Sequence, residues 1–312
     1  MISVVIPLYN KEKSITTTLE SVLAQTYTDY EIIVVDDGST DNSLNVVRSF
    51  VNSFTHSSFV KIIHKENGGV SSARNRGIKE AIGELVALLD GDDLWDNEYL
   101  AEQMKMVQDF PEAVMWGINF AETNNGQLIR KLATGLPDGY RGYVDNYFQM
   151  KGRISDLFCS SSVVIRREVF EKVGMFDARI KYAEDTDMWW RVISTNKVAF
   201  YDRYMVFYQY DAENRAMRRT RQLKYFLPYY VEKYQAPIFR SNNMFYRYVN
   251  CWAAQQIRSY FFSKNEIDRN DAQKAIQNLD YSVIPFKYRL LYKWPYFMAK
   301  LFNKLDKLYH RQ

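Results

Sequence analysis

Apolar positions come in two alternating rhythms along the N-terminal part of the chain. Ser3-Val4-Val5-Ile6-Pro7-Leu8, Glu31-Ile32-Ile33-Val34-Val35, the shorter Val60-Lys61-Ile62-Ile63 and Leu85-Val86-Ala87-Leu88-Leu89 are apolar runs of strand length, the second and fourth as expected for strands buried on both faces. Between them apolar side chains recur at helical spacing: Ile15, Leu19, Val22 and Leu23 over residues 13–25, then Leu44, Val47 and Val51, then Val70, Ala73, Gly77, Ile78, Ala81 and Ile82. Gly83 is placed to cap the last of these. Strands alternating with helices of this length imply right-handed crossovers and a mostly parallel central sheet, an α/β fold.

The pattern continues with more irregular spacing. Leu100, Met104 and Val107 mark a helix face that stops before Pro111, residues 113–120 read as a strand, and Asn124-Asn125-Gly126 as a turn. Residues 127–158, with Gly135, Pro137, Gly139 and Gly142, read as an irregular loop. A strand over 160–165 leads into a helix over 167–173 capped by Gly174. Met188, Trp189, Val192 and Ile193 then give a helix one apolar face, with Glu184 and Asp185 at its start and Asp187 and Arg191 as an i,i+4 pair. Residues 206–211 form a last strand, and helices follow over 245–262 and 271–279. This organises the chain as 1–110, 111–215 and a helical extension over 216–312.

Composition narrows the class. The 312 residues suffice for one large domain or two smaller ones, and 47% hydrophobic with 25% charged residues is ordinary for a globular protein. A net charge of +4 is too small to indicate nucleic-acid binding. Cys159 and Cys251 are the only cysteines, so no disulfide framework is implied and a reducing compartment fits. The first residues lack a signal-peptide pattern, and no apolar run reaches the roughly 18 residues needed to span a bilayer. The expected location is cytoplasmic, with the inner face of the cell membrane left open.

Candidate chemistry gathers at strand ends. The fourth run closes in Asp90-Gly91-Asp92-Asp93 and the second in Asp36-Asp37-Gly38-Ser39. Ligands bind at such ends of open α/β sheets. Three neighbouring carboxylates repel one another and call for a compensating charge. A divalent cation, Mn²⁺ or Mg²⁺, held with substrate phosphate is the candidate. Acidic turn chemistry is the alternative at both places. Neither a Gly-x-Gly-x-x-Gly fingerprint nor a P-loop follows the first strand.

Four segments together carry a resemblance: Val4-Val5-Ile6-Pro7-Leu8-Tyr9-Asn10, Val35-Asp36-Asp37-Gly38-Ser39-Thr40-Asp41, Asn67-Gly68-Gly69 through Ala73-Arg74-Asn75, and Leu89-Asp90-Gly91-Asp92-Asp93. In this order and spacing they resemble glycosyltransferase family 2, of the GT-A fold, over residues 1–215. The resemblance implies an inverting transfer of a sugar from a nucleotide donor, UDP-linked, to a hydroxyl of a glycan or lipid-linked acceptor, in surface polysaccharide biosynthesis. It makes 1–110 the donor half and 111–215 the acceptor half, with 127–158 near the acceptor. It implies that Asp92 meets the metal on the donor diphosphate and that Asp90, with Gly91 in the same turn, lies near the ribose or sugar. Pro7 and Tyr9 would flank the base, Asp37 would accept from its N–H, and Arg74 would reach base or diphosphate. A Glu-Asp pair at this point of the family carries the general base, which implies Asp185 as base and Glu184 as the neighbour shaping the acceptor pocket. Many members place a metal-binding His near Asp211. Here His occurs only at 56, 64 and 310, so either Asp211 ligates the ion instead or the ion is held with one ligand fewer.

Other readings stay open beside this one. A nucleotidyltransferase also pairs carboxylates with an α/β nucleotide-binding domain, but Tyr9-Asn10-Lys11-Glu12 is not the basic, Gly-rich loop it would need. A catalytically inactive nucleotide-sugar-binding protein would lack the base or metal carboxylates, which are present. Trp95, Trp189 and Trp190 are open between sugar contact and core. In residues 281–312, Lys287, Arg289, Lys293, Lys300, Lys304, Lys307 and Arg311 face the single acid Asp306, with Leu290, Trp294, Phe297, Leu301, Leu305 and Leu308 at near-helical spacing. Such a tail fits an anionic membrane surface, packing on the catalytic domain, or packing on a second subunit of a homo-oligomer. The Arg cluster at 215, 218, 219 and 221 is open between a lipid-linked acceptor's phosphates and water.

Overall fold

The computed structural model describes residues 1–53, 59–131, 134–150, 157–214, 233–234, 240, 243–294, 296, 298–300 and 303. The chain forms two compact units, one of Met1–Ala178 with Ala183–Arg219 and one of Arg179–Tyr182 with Thr220–Gln312.

The first unit begins with β1 (Ile2–Leu8), α1 (Ile15–Leu23), β2 (Tyr30–Asp36), α2 (Ser43–Asn52), β3 (Val60–His64), α3 (Val70–Glu80), β4 (Leu85–Leu88), β5 (Leu94–Trp95) and α4 (Tyr99–Asp109). It continues with β6 (Ala113–Asn124), β7 (Gln127–Lys131), β8 (Arg141–Tyr143), α5 (Tyr147–Met150), β9 (Val163–Arg166), α6 (Arg167–Val173), α7 (Glu184–Thr195) and β10 (Lys197–Gln209). The described strands join one sheet in the order β3-β2-β1-β4-β9-β6-β10-β5, with β7 on β6 and β8 on β10. β3, β2, β1 and β4 run parallel. β9 then enters antiparallel to both β4 and β6, so the sheet is parallel from β3 to β4 and mixed beyond it.

Every residue of β1 and β4 is buried, as the apolar runs require. α3 lies close on this sheet because Gly77 has no side chain. A Cβ there would stand 2.3 Å from Val5 Cγ1.

Several expectations change on contact with the structure. α3 stops at Glu80, Ile82 is 70% exposed, and Gly83 is not its cap. Gly83 instead lies against β1, where an added Cβ would meet Ser3 Oγ at 2.8 Å. The buried face of α4 is Tyr99, Leu100, Glu102, Gln103 and Met106, with Met104 and Val107 only partly covered. Residues 127–158 are not all loop: β7 follows β6 through a tight turn in which Asn125 and Gly126 both take positive φ, 48° and 73°. β8 and α5 fall in the same stretch, while 132–133 and 151–156 lie outside the described residues. Trp95 is core, stacked on Tyr99 at 4.4 Å with Nε1 donating to Ser161 O at 2.7 Å. Trp189 and Trp190 are fully buried as well.

The second unit contains helices Asn243–Phe261, Glu266–Gln277 and Phe286–Lys293. Asn265 starts the middle one by accepting from Ile267 N–H at 2.9 Å. In the last one Tyr288 and Leu291 are buried, Tyr292 Oη donates to Ala254 O, and Phe261 meets the rings of Tyr292 and Tyr296 edge-on at 5.6 and 5.5 Å. Leu290 is only partly buried. This part of the basic tail therefore packs on its own unit. Phe297, Leu301, Leu305, Leu308 and the Arg cluster at 215–221 lie outside the described residues. Among the described residues no helix is long and apolar enough to cross a membrane.

Candidate active site

The turn after β4 is built by backbone as much as by charge. Asp93 N–H donates to Asp90 O at 3.0 Å, closing Asp90-Gly91-Asp92-Asp93. A Cβ on Gly91 would stand 3.1 Å from Pro7 O. Pro7, buried at the end of β1, and Gly91 are therefore neighbours through main chain.

Each acid of this turn has its own partner. Asp90 Oδ1 accepts from Arg74 Nη2 at 2.7 Å, and Asp92 Oδ2 accepts from Lys11 Nζ at 2.6 Å. Asp93 is 2% exposed and accepts from Ser161 Oγ at 2.5 Å and from the Gln209 backbone N–H. Burial, then the charges of Asp92 and Asp90, push the Asp93 carboxyl well above the usual range. The repulsion read from three adjacent carboxylates is answered by two cations, on Asp90 and Asp92, and by burial that favours the protonated form of Asp93.

Arg74 carries the turn's charge across to α7. Its guanidinium, 3% exposed, donates from Nη1 to Glu184 Oε1 at 2.8 Å. Burial opposes its charge, but Asp90 and Glu184 hold its pKa above the ordinary value. Phe176 supports the guanidinium from one side, with its ring centre 5.4 Å from Cζ. Asn75 fixes Phe176 by its backbone, donating to its carbonyl at 2.8 Å and accepting from its N–H at 2.9 Å.

Asp185 follows Glu184 in the first turn of α7. Ala183, just before, takes a left-handed conformation with φ 56°, strained for a residue with a Cβ and characteristic of functional sites. Burial, then the neighbouring Glu184 charge, raises the Asp185 carboxyl to about 6 against the pull of Arg74 and of the Thr186 N–H. The expected Asp187–Arg191 pair is present at 2.9 Å, but buried. Arg191 also donates to Val173 O, Gly174 O and Met175 O at 2.6–3.0 Å, tying α7 to the end of α6.

The base-binding candidates are more occupied than the sequence suggests. Asp37 accepts from Lys65 Nζ at 2.5 Å, Gly68 N–H at 3.0 Å and Gly69 N–H at 2.7 Å, so it holds the loop that starts α3. Tyr9 is partly buried, and its carbonyl accepts from Asn214 Nδ2 at 3.2 Å. Asp211 lies exposed in the turn after β10. Among the described residues no three His, Cys, Asp or Glu side chains are grouped to hold a metal. Carboxylate oxygens at Asp92 do suit Mn²⁺ or Mg²⁺, which usually take only one or two protein carboxylates beside phosphate oxygens. Lys11 already occupies one of them.

The residues missing from the sequence reading are Lys11, Asn75, Ser161 and Phe176. Asn75 stands inside a recognised segment and Lys11 directly follows one, but nothing in their spacing announces a partner. Ser161 and Phe176 carry no sequence signal of a role.

Residues 3–174 match the sequence profile of Glycosyl transferase family 2. An uncharacterised glycosyltransferase of Rickettsia typhi is 29% identical over 203 residues, 64% of this chain and 61% of that protein. The Escherichia coli UDP-Glc:alpha-D-GlcNAc-diphosphoundecaprenol beta-1,3-glucosyltransferase WfgD is 28% identical over 200 residues, 64% of this chain and 72% of that protein. A Rickettsia felis glycosyltransferase matches over only 35% of its own length. Staphylococcus aureus TarS, solved in complex with UDP-GlcNAc, superimposes with a TM-score of 0.74 at 19% identity, covering 96% of this chain and 87% of that one. That likeness gives the GT-A fold, and the profile match over more than half the sequence gives the family: the chain belongs to glycosyltransferase family 2.

Proposed function

We propose that the protein transfers a sugar from a UDP-sugar to a hydroxyl of a glycan or lipid-linked glycan, with inversion, and that Asp185 is the general base. The observation that carries this reading is the buried Arg74 bridge. It joins the strand-end acid Asp90 to Glu184 and leaves the adjacent Asp185 carboxyl raised to about 6. A carboxyl with that pKa is ionised at neutral pH yet binds a proton more readily than an ordinary aspartate, as a base needs.

In the step itself the acceptor oxygen attacks the anomeric carbon as its proton passes to Asp185. The bond to the UDP oxygen breaks on the opposite face, UDP departs with the electron pair, and the configuration inverts. Glu184, neutralised by Arg74, shapes the acceptor side. Asp90 faces the ribose or sugar, and Pro7 and Tyr9 flank the base. Asp37 works chiefly through the Gly68–Gly69 loop unless it exchanges Lys65 for the base N–H. Asp92, with Asp211, would hold a divalent ion. Such an ion supplies positive charge against the leaving diphosphate.

UDP as donor is supported by TarS, solved with UDP-GlcNAc, and by the WfgD name, which also supports a lipid-linked acceptor. A panel of nucleotide sugars, scored by thermal shift with Mn²⁺ and with chelator and then by UDP release, tests the reading. One UDP-sugar should raise the midpoint and be turned over. No response from any of them contradicts it.

A further inference from the structure

Lys11 is an unusual cation for a surface loop. Its side chain is 11% exposed and that of Asp92 15%. Nζ donates to Asp92 Oδ2 at 2.6 Å and also to Glu213 O. The backbone around it is fixed: Lys11 N–H donates to Ser43 Oγ at 2.7 Å, and Lys11 O accepts from Ile15 N–H at 3.0 Å at the start of α1. Glu213, just after β10, is fastened to the same loop, its carboxylate accepting from Lys13 N–H at 3.0 Å and from Ser14 N–H and Oγ. The ammonium is thus a mounted charge aimed at the acid that the proposed function gives to a metal.

We propose that Lys11 is an internal counter-cation that competes with a divalent ion for Asp92, and that a nucleotide diphosphate relieves the competition by drawing the ammonium away. This rests on the proposed metal role of Asp92 but not on catalysis. Two cations cannot share that partly buried carboxylate without strong repulsion, because solvent screens such a pair poorly. A diphosphate offers Lys11 another anion and offers the ion further oxygens. Metal and nucleotide therefore bind with positive coupling, and by linkage each strengthens the other equally.

The test is direct titration of Mn²⁺ into the full chain, read by electron paramagnetic resonance of the free ion, with and without UDP. Parent, Lys11→Met, Lys11→Gln and Lys11→Arg are compared, the glutamine keeping a donor for Glu213 O and the arginine keeping the charge. The expected result is that Met and Gln bind Mn²⁺ alone on the order of tenfold more tightly than parent, that their gain from added UDP shrinks, and that Arg behaves as parent. If Lys11→Gln, folded by its melting curve, binds Mn²⁺ alone no better than parent while UDP still promotes Mn²⁺ binding to both, the competition is refuted and the metal role stands. If UDP promotes no Mn²⁺ binding to the parent, the metal role falls and the inference falls with it.

Discussion

Arg74 and Glu184, 110 positions apart in sequence, meet in a 2.8 Å buried ion pair while the same guanidinium holds Asp90 at 2.7 Å. One side chain thus fixes the spacing between the strand end proposed for the donor and the helix start proposed for the base.

Removing that side chain leaves acids facing one another without a cation. Arg74→Ala should destabilise the fold by about 3–5 kcal/mol, the usual cost of stranding buried charges. Arg74→Lys should recover only part of this, since one ammonium cannot reproduce a planar fork to two acids. Urea unfolding of the three proteins checks both statements.

The raised Asp185 carboxyl has a cost in stability with a definite sign. Its folded pKa of about 6 exceeds the 3.8 of an ordinary aspartate, so the folded state holds the proton more tightly. The stability contributed is complete below about pH 4 and is lost as pH rises through about 6. At pH 7 the ionised group therefore opposes folding, and Asp185→Asn should be more stable than parent by roughly 1–3 kcal/mol. The gain should vanish near pH 4. Denaturation at the two pH values measures it.

Asp93 and Asp92 differ in a way their adjacency hides. Burial and the neighbouring acids push the Asp93 carboxyl well above its ordinary range while it accepts from Ser161, so Asp93→Asn, an uncharged isostere, should fold with near-parent stability at pH 7 and keep UDP-dependent Mn²⁺ binding. Asp92→Asn should lose that binding. Melting curves and Mn²⁺ titration on the two variants distinguish them.

Gly77 tests the packing that brings Arg74 to the site. With Val5 Cγ1 2.3 Å from its virtual Cβ, Gly77→Ala must push α3 off β1. The expected loss is roughly 1–3 kcal/mol in urea unfolding, with UDP affinity falling alongside because Arg74 lies one turn earlier on the same helix.

The parallel part of the sheet was legible because burial on both faces writes continuous apolar runs, and β1, β2 and β4 follow them closely. The Asp187–Arg191 pair was legible because both ends lie on one helix. What failed depends on distant partners. Lys11 reaches Asp92 across 81 positions, so the compensating charge assigned to a metal is supplied in part by the chain itself. Gly83 looked like a cap, but its smallness answers to Ser3. Glycines and a proline hid β8, whose three residues pair with β10, because so short a strand writes no alternation of its own.

Asp185 is proposed to take the acceptor's proton. Its direct test is to measure sugar-transfer rate and UDP affinity of Asp185→Asn beside parent, with the UDP-sugar and acceptor that parent uses. The transfer rate should fall by roughly 10²–10⁴-fold with UDP affinity unchanged. Transfer close to the parent rate would contradict it.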